Sequence, residues 1–125
     1  IILVHNTFTS KIDVKWTKEN NYDTYWCTCP KANLYIENSL PDYSIFDTDT
    51  LCVGTDSLAS NNSLSILEEL KVLKENSDFD LNTLLKIACK NGAEALGFEN
   101  LGTFEKGKIP GLNLINNLDS VSVIA

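Results

Sequence analysis

Two polar residues stand where apolar runs end. His5 follows Ile1-Ile2-Leu3-Val4, and Asp56 follows Leu51-Cys52-Val53-Gly54-Thr55. An imidazole or a carboxylate in such a place can move a proton or ligate a metal, because each offers a lone pair whose basicity the surroundings tune. The residues after Asp56 are small and polar (Ser57, Ala59, Ser60, Asn61), which leaves room for a ligand. Each residue also has a plainer reading. Asp56 fits equally well as a cap of the loop or helix that follows, and His5, the only histidine, as a ring bonded to backbone at a strand end. One His and one Asp do not complete a catalytic zinc site, which takes three protein ligands and a water. No G-x-S-x-G elbow is present to support a Ser–His–Asp hydrolase.

The four cysteines are Cys27, Cys29, Cys52 and Cys89. A zinc knuckle wants two ligand pairs with two to four residues inside each, and no second pair exists. Cys27 and Cys29 fall in an apparent strand and are expected on opposite faces, which disfavours a bridge. The expectation is small buried thiols in a reducing cytosol.

The elements that must position these residues alternate in type. Ile1 to His5 has the continuous apolar pattern of a strand buried on both faces, as in parallel sheets. Thr9-Ser10 can cap a helix over Lys11 to Asn20, with Ile12 and Trp16 at i, i+4. A second strand is expected over Thr24 to Cys29, stopped by Pro30, and then a long loop from Lys31 to Leu40. Pro41 opens a short helical stretch through Phe46 before the third strand, which delivers Asp56.

After the polar loop Ser57 to Asn62, an amphipathic helix is expected. Leu64, Leu67, Leu70 or Ile66, and Leu73 form its apolar stripe, with Glu68, Glu69, Lys71 and Lys74 outside. Asp80 caps a further helix with Leu84, Leu85, Ile87, Ala88 and Ala95 inward, and Gly97 stops it. The tail changes texture. Leu112 to Ile115 and Val121 to Ile124 read as short extended pieces on either side of Asn116-Asn117, belonging to a different layer. Strands alternating with helices make a parallel α/β unit, and active sites of such units gather at the C-terminal strand ends. An open doubly wound sheet fits the pattern, but no Gly-rich phosphate loop follows any strand.

The totals narrow the function classes. A chain of 125 residues is within the size of one domain, and 43% apolar residues suffice for a modest core. The net charge of −7, with ten scattered Lys and Arg among seventeen acids, argues against nucleic acid or an anionic membrane as partner. No run approaches the roughly 18 apolar residues of a membrane span, and the opening run lacks the charged start of a signal peptide. There is no Met, and the chain opens within an apolar run, so a piece of a longer protein is expected.

Five segments, in order, resemble the amidohydrolase superfamily, in the branch of chlorohydrolases, guanine deaminases and methylthioadenosine/adenosylhomocysteine deaminases. Val53-Gly54-Thr55-Asp56-Ser57-Leu58-Ala59-Ser60-Asn61-Asn62-Ser63-Leu64 is similar to the family's GTDS-x-ASNNSL signature. Leu3-Val4-His5 resembles its sixth-strand VH segment. Cys29-Pro30-Lys31-Ala32-Asn33-Leu34 resembles CP-x-SNL after the seventh strand, with Ala32 replacing the usual Ser. Lys90 to Gly97 looks like the NGA-x-ALG helix, and Gly102 to Lys108 like the GS-x-E-x-GK return into a β-sandwich. Ile109 to Ile115 departs from the usual K-x-ADLVV-x-D, which puts the standard sandwich turn in doubt.

The resemblance implies a (β/α)8 barrel of which residues 1–98 supply about strands six to eight, while 99–125 add β-strands to a small composite sandwich. It implies a divalent metal, zinc by analogy, whose histidine ligands lie outside this chain. Asp56 takes the eighth-strand role of metal contact and base for the attacking water. His5 takes the sixth-strand place beside the substrate and the attacked carbon. The implied activity is hydrolysis of a C–N bond, deamination of a heterocyclic amine, by a cytoplasmic enzyme on a small-molecule substrate. The isolated chain is expected to be inactive and to self-associate. A different class of function, a stand-alone non-catalytic domain used for binding or assembly, stays open.

Overall fold

The computed structural model describes residues 1–117 and 119–124. Three short parallel strands, β1 (Ile2–Val4), β2 (Tyr25–Thr28) and β3 (Leu51–Val53), pair in the order β1-β2-β3. The register sets Val4 beside Cys27 and Cys27 beside Cys52. Parallel pairing brings all three C-terminal ends to one edge, so His5 and Asp56 leave the sheet on the same side.

Helix α1 (Lys11–Glu19) starts where the sequence indicates. Ser10 accepts from the Asp13 amide, and Asp13 returns a bond to the Ser10 amide, a reciprocal capping box. Its buried residue, however, is Val14; Ile12 and Trp16 point outward, and Trp16 stacks on Tyr22 at 5.4 Å. The expected loop after Pro30 is instead helix α2 (Pro30–Glu37). Proline lacks the N–H that a first-turn residue leaves unpaired, so Pro30 opens this helix as well as ending the strand. A 3-10 turn (Tyr43–Ile45) capped by Asp42 takes the place of the short helical stretch after Pro41.

Helix α3 (Ile66–Glu75) is capped by Ser65, so Leu64 stays outside it and exposed. Asp80 caps α4 (Leu81–Leu85), which runs through a π turn (Lys86–Lys90) into α5 (Asn91–Ala95). Gly97 ends this rod at φ 73°, a left-handed turn that glycine takes without a Cβ clash. Asn91, fully buried, donates to the carbonyls of Thr48 and Leu51 and so ties the rod to the start of β3. The tail forms a separate antiparallel hairpin, β4 (Asn113–Asn116) with β5 (Ser120–Val123).

The core lies on the helix-covered face of the sheet. Trp26 and Leu51 from the strands meet Val14, Tyr43, Phe46, Leu70, Leu73, Leu84 and Ile87. The strand β1 is not buried on both faces as its composition suggests. It is an edge strand with a partner on one side only, and Ile2, Leu3 and Val4 are exposed. No described helix is long and apolar enough to cross a membrane.

Candidate functional site

At the end of β1 the His5 amide donates to the Cys27 carbonyl at 2.8 Å, and the backbone then turns left-handed at His5 (φ 70°) and Asn6 (φ 61°). Non-glycine residues pay about 1 kcal/mol or more for such a conformation, and it persists only where the surroundings fix it. Here Asn6 donates to the carbonyls of Leu3 and Cys27. Asn33 of α2, almost wholly buried, donates to the His5 carbonyl at 3.0 Å while its oxygen sits 2.8 Å from His5 Nδ1. With the amide nitrogen committed to the carbonyl, the amide oxygen faces the ring, so Nδ1 carries the proton. The neutral ring therefore turns an Nε2 lone pair toward the strand ends.

Asp56 leaves β3 in the same left-handed region (φ 56°). Ser60 Oγ donates to Asp56 Oδ2 at 2.5 Å. This bond is the main reason the carboxyl lies below its ordinary value; partial burial opposes it, and a backbone bond from Ser57 and the His5 ring help. His5 Nε2 and Asp56 Oδ2 are 3.9 Å apart, each side chain about one-third exposed (37% and 31%). That is too long for a hydrogen bond. Two acceptors facing one another across this gap make a place for a proton donor or a cation.

The loop carrying Asp56 is tied down by a residue assigned to the outside from its charge. Glu69 of α3 is fully buried. Its Oε2 accepts from the Lys31 amide in the first turn of α2 at 2.9 Å, and its Oε1 from Asn61 Nδ2 at 2.6 Å. Asn61 also donates to the Thr55 carbonyl, directly before Asp56, at 2.8 Å. Burial pushes the Glu69 carboxyl up, and the two donors oppose that. The signal was present: Glu69 is three residues after Ile66 and four before Leu73, on the apolar stripe itself.

Cys27 and Cys29 correct another expectation. Side chains two apart on a strand share a face, and both sulfurs approach Gly54, at 3.3 and 3.5 Å from where its Cβ would be. Gly54 is thus the residue that lets the thiols sit beside the segment leading to Asp56. Among the described residues no three His, Cys, Asp or Glu side chains form a group able to hold a metal ion. The largest cavity, about 750 Å³, lies between the α4–α5 rod and the tail and does not include His5 or Asp56.

A model of the amidohydrolase family matches residues 1–124. The chain belongs to that family. Over 97 residues, 70% of its length, this amidohydrolase chain is 37% identical to the 5-methylthioadenosine/S-adenosylhomocysteine deaminase of Shouchella clausii, of which the match covers 22%. The aminofutalosine deaminase of Helicobacter pylori, in complex with methylthio-coformycin, superposes with a TM-score of 0.73 and 33% identity, covering 90% of this chain and 29% of that one. An adenosine deaminase from Xanthomonas campestris with bound zinc gives a TM-score of 0.73 at 28% identity, over 90% of this chain and 28% of its own. The chain thus spans less than a third of each of these relatives.

Proposed function

We propose that this chain is the C-terminal part of a metal-dependent hydrolase that removes an amine from a heterocyclic ring. The relatives' names make an adenosine-like nucleoside the first substrate class to test. In this reading β1, β2 and β3 are strands six to eight of a (β/α)8 barrel, built by residues 1–98, and residues 99–125 add strands to a small sandwich. The observation that carries it is the facing pair, His5 Nε2 and Asp56 Oδ2, at the C-terminal strand ends.

The donor set fits one corner of a zinc site and no more: Asp56 offers a carboxylate held ionised by Ser60, and the other ligands must come from outside this chain. A bound metal supplies Lewis acidity that makes water a nucleophile near neutral pH. Asp56, poised as an anion, takes up the proton that the water gives and can pass it toward the leaving amine. His5, with Nδ1–H anchored on Asn33, keeps one ring face and the Nε2 lone pair directed at the substrate side. The free thiols fit a reducing compartment, and we assign the enzyme to the cytoplasm.

The full-length protein tests this. It is expected to release ammonia from adenosine-like nucleosides, to lose activity on metal removal and to regain it with zinc. The isolated chain is expected to show neither activity nor tight zinc binding by calorimetry. Full activity retained after exhaustive chelation, or submicromolar stoichiometric zinc binding by the isolated chain, contradicts the reading.

A further inference from the structure

The sheet face away from the core carries three thiols. Cys27 and Cys29 share this face because side chains alternate along β2, and the register sets Cys52 of β3 directly beside Cys27. Adjacent strands run about 4.8 Å apart, inside the roughly 4.4–6.8 Å Cα window of a disulfide. Cys27 and Cys29, two steps along an extended chain, sit about 6.6 Å apart or more, at the edge of that window. The cross-strand pair is therefore the one able to close. Access runs through Cys27, which is only half-buried and has the exposed Val4 as its other strand neighbour, whereas Cys52 is buried. A hydrogen bond with the Cys27 thiol holds the Cys52 thiol below its usual range, against the effect of burial.

We propose that Cys27 and Cys52 form a redox-active pair that closes to a cross-strand disulfide on reaction with a small-molecule disulfide. Cys27 loses its proton and attacks one sulfur of oxidised glutathione; the glutathione S–S bond breaks and one glutathione thiolate leaves and takes up a proton. Cys52, deprotonated, attacks the Cys27 sulfur of the mixed disulfide and expels the second glutathione in the same way. Two protein thiols are oxidised and one small disulfide is reduced to two thiols. A bridge between neighbouring strands is geometrically tight, so it opens readily to reductant.

The test incubates the folded chain with oxidised glutathione, blocks remaining thiols, and maps peptides by mass spectrometry without reduction. The expected product has lost two hydrogens, contains a Cys27–Cys52 linked peptide and reverts with dithiothreitol, with an unchanged circular dichroism spectrum. Cys29→Ser is expected to keep the link, and Cys52→Ser to stop at a glutathione adduct on Cys27. Glutathione adducts without any internal link, or a link joining Cys27 to Cys29, overturn the proposal. The mapping is done on the wild-type chain, so it decides the matter whether or not the variants fold.

Discussion

A serine hydroxyl 2.5 Å from Asp56 Oδ2 makes the protonation state of that carboxylate a local property. Ser60→Ala is expected to move the Asp56 titration up toward the ordinary aspartate range, measured on its carboxyl carbon by NMR; an unmoved midpoint contradicts the assignment. Because the folded-state value is lowered, the stability that this carboxylate adds is present above the unfolded value. It is lost as pH falls through the folded one. Acid unfolding of the Ser60→Ala chain should therefore depend less on pH in that range. Glu69 has the opposite sign: burial raises it, so its contribution is greatest below the unfolded value and declines as pH rises through the raised one. The carboxylate geometry still favours two acceptors. Asn61 cannot flip to suit an amide, because its Nδ2 donates to the Thr55 carbonyl and its Oδ1 accepts from the Ser63 amide. Glu69→Gln leaves one donor facing an NH2 group and should cost about 1–3 kcal/mol at neutral pH, checked by urea unfolding; a neutral or stabilising result would show that the strut does not hold the loop.

At the scale of elements, what could be read in the sequence was whatever rests on local chemistry. Ser10 and Asp80 announce their helices because caps satisfy orphan amides in any context, and Gly97 announces an end for the same local reason. What could not be read from local signals depends on which face has a neighbour. Ile12 and Trp16 have the right spacing to form an inward stripe, but the sheet meets Val14 instead. Pro30 was taken as a stop and is equally a start, since a missing N–H suits both. His5 and Asp56 were picked out by position and resemblance, whereas Asn33 and Glu69, which hold the site, were passed over because polar residues were assigned to the outside. Leu73 and Ile12 test the distinction. Leu73→Ala, at a fully buried position, should cost about 2–5 kcal/mol, while Ile12→Ala at an exposed one should stay within about 0.5 kcal/mol. Equal losses in denaturant unfolding would mean that the helix faces are wrongly placed.

For the molecule as a whole, the open edge of the sheet governs behaviour. Leu51 and Cys52 of β3 are covered, but β1 presents an unpaired backbone edge and exposed Ile2, Leu3 and Val4, a template for pairing with another chain. The isolated chain is expected to self-associate with rising concentration in sedimentation velocity, and Leu3→Lys to weaken this; a monomer throughout contradicts it. In the proposed enzyme the same edge meets the remainder of the barrel, and the strand ends complete the site around Asp56. Steady-state kinetics of the full-length protein bearing Asp56→Asn, with bound metal measured and circular dichroism as a check on the fold, tests that claim most directly. The amide keeps the size of the side chain but cannot accept a proton at neutral pH. Turnover should fall by at least about 10²–10⁴-fold, whereas Asp42→Asn, at the exposed cap of the 3-10 turn, should change little. An Asp56→Asn enzyme that keeps more than about a tenth of the activity, well above what loss of a general base permits, would reduce Asp56 to a structural residue and refute the mechanism.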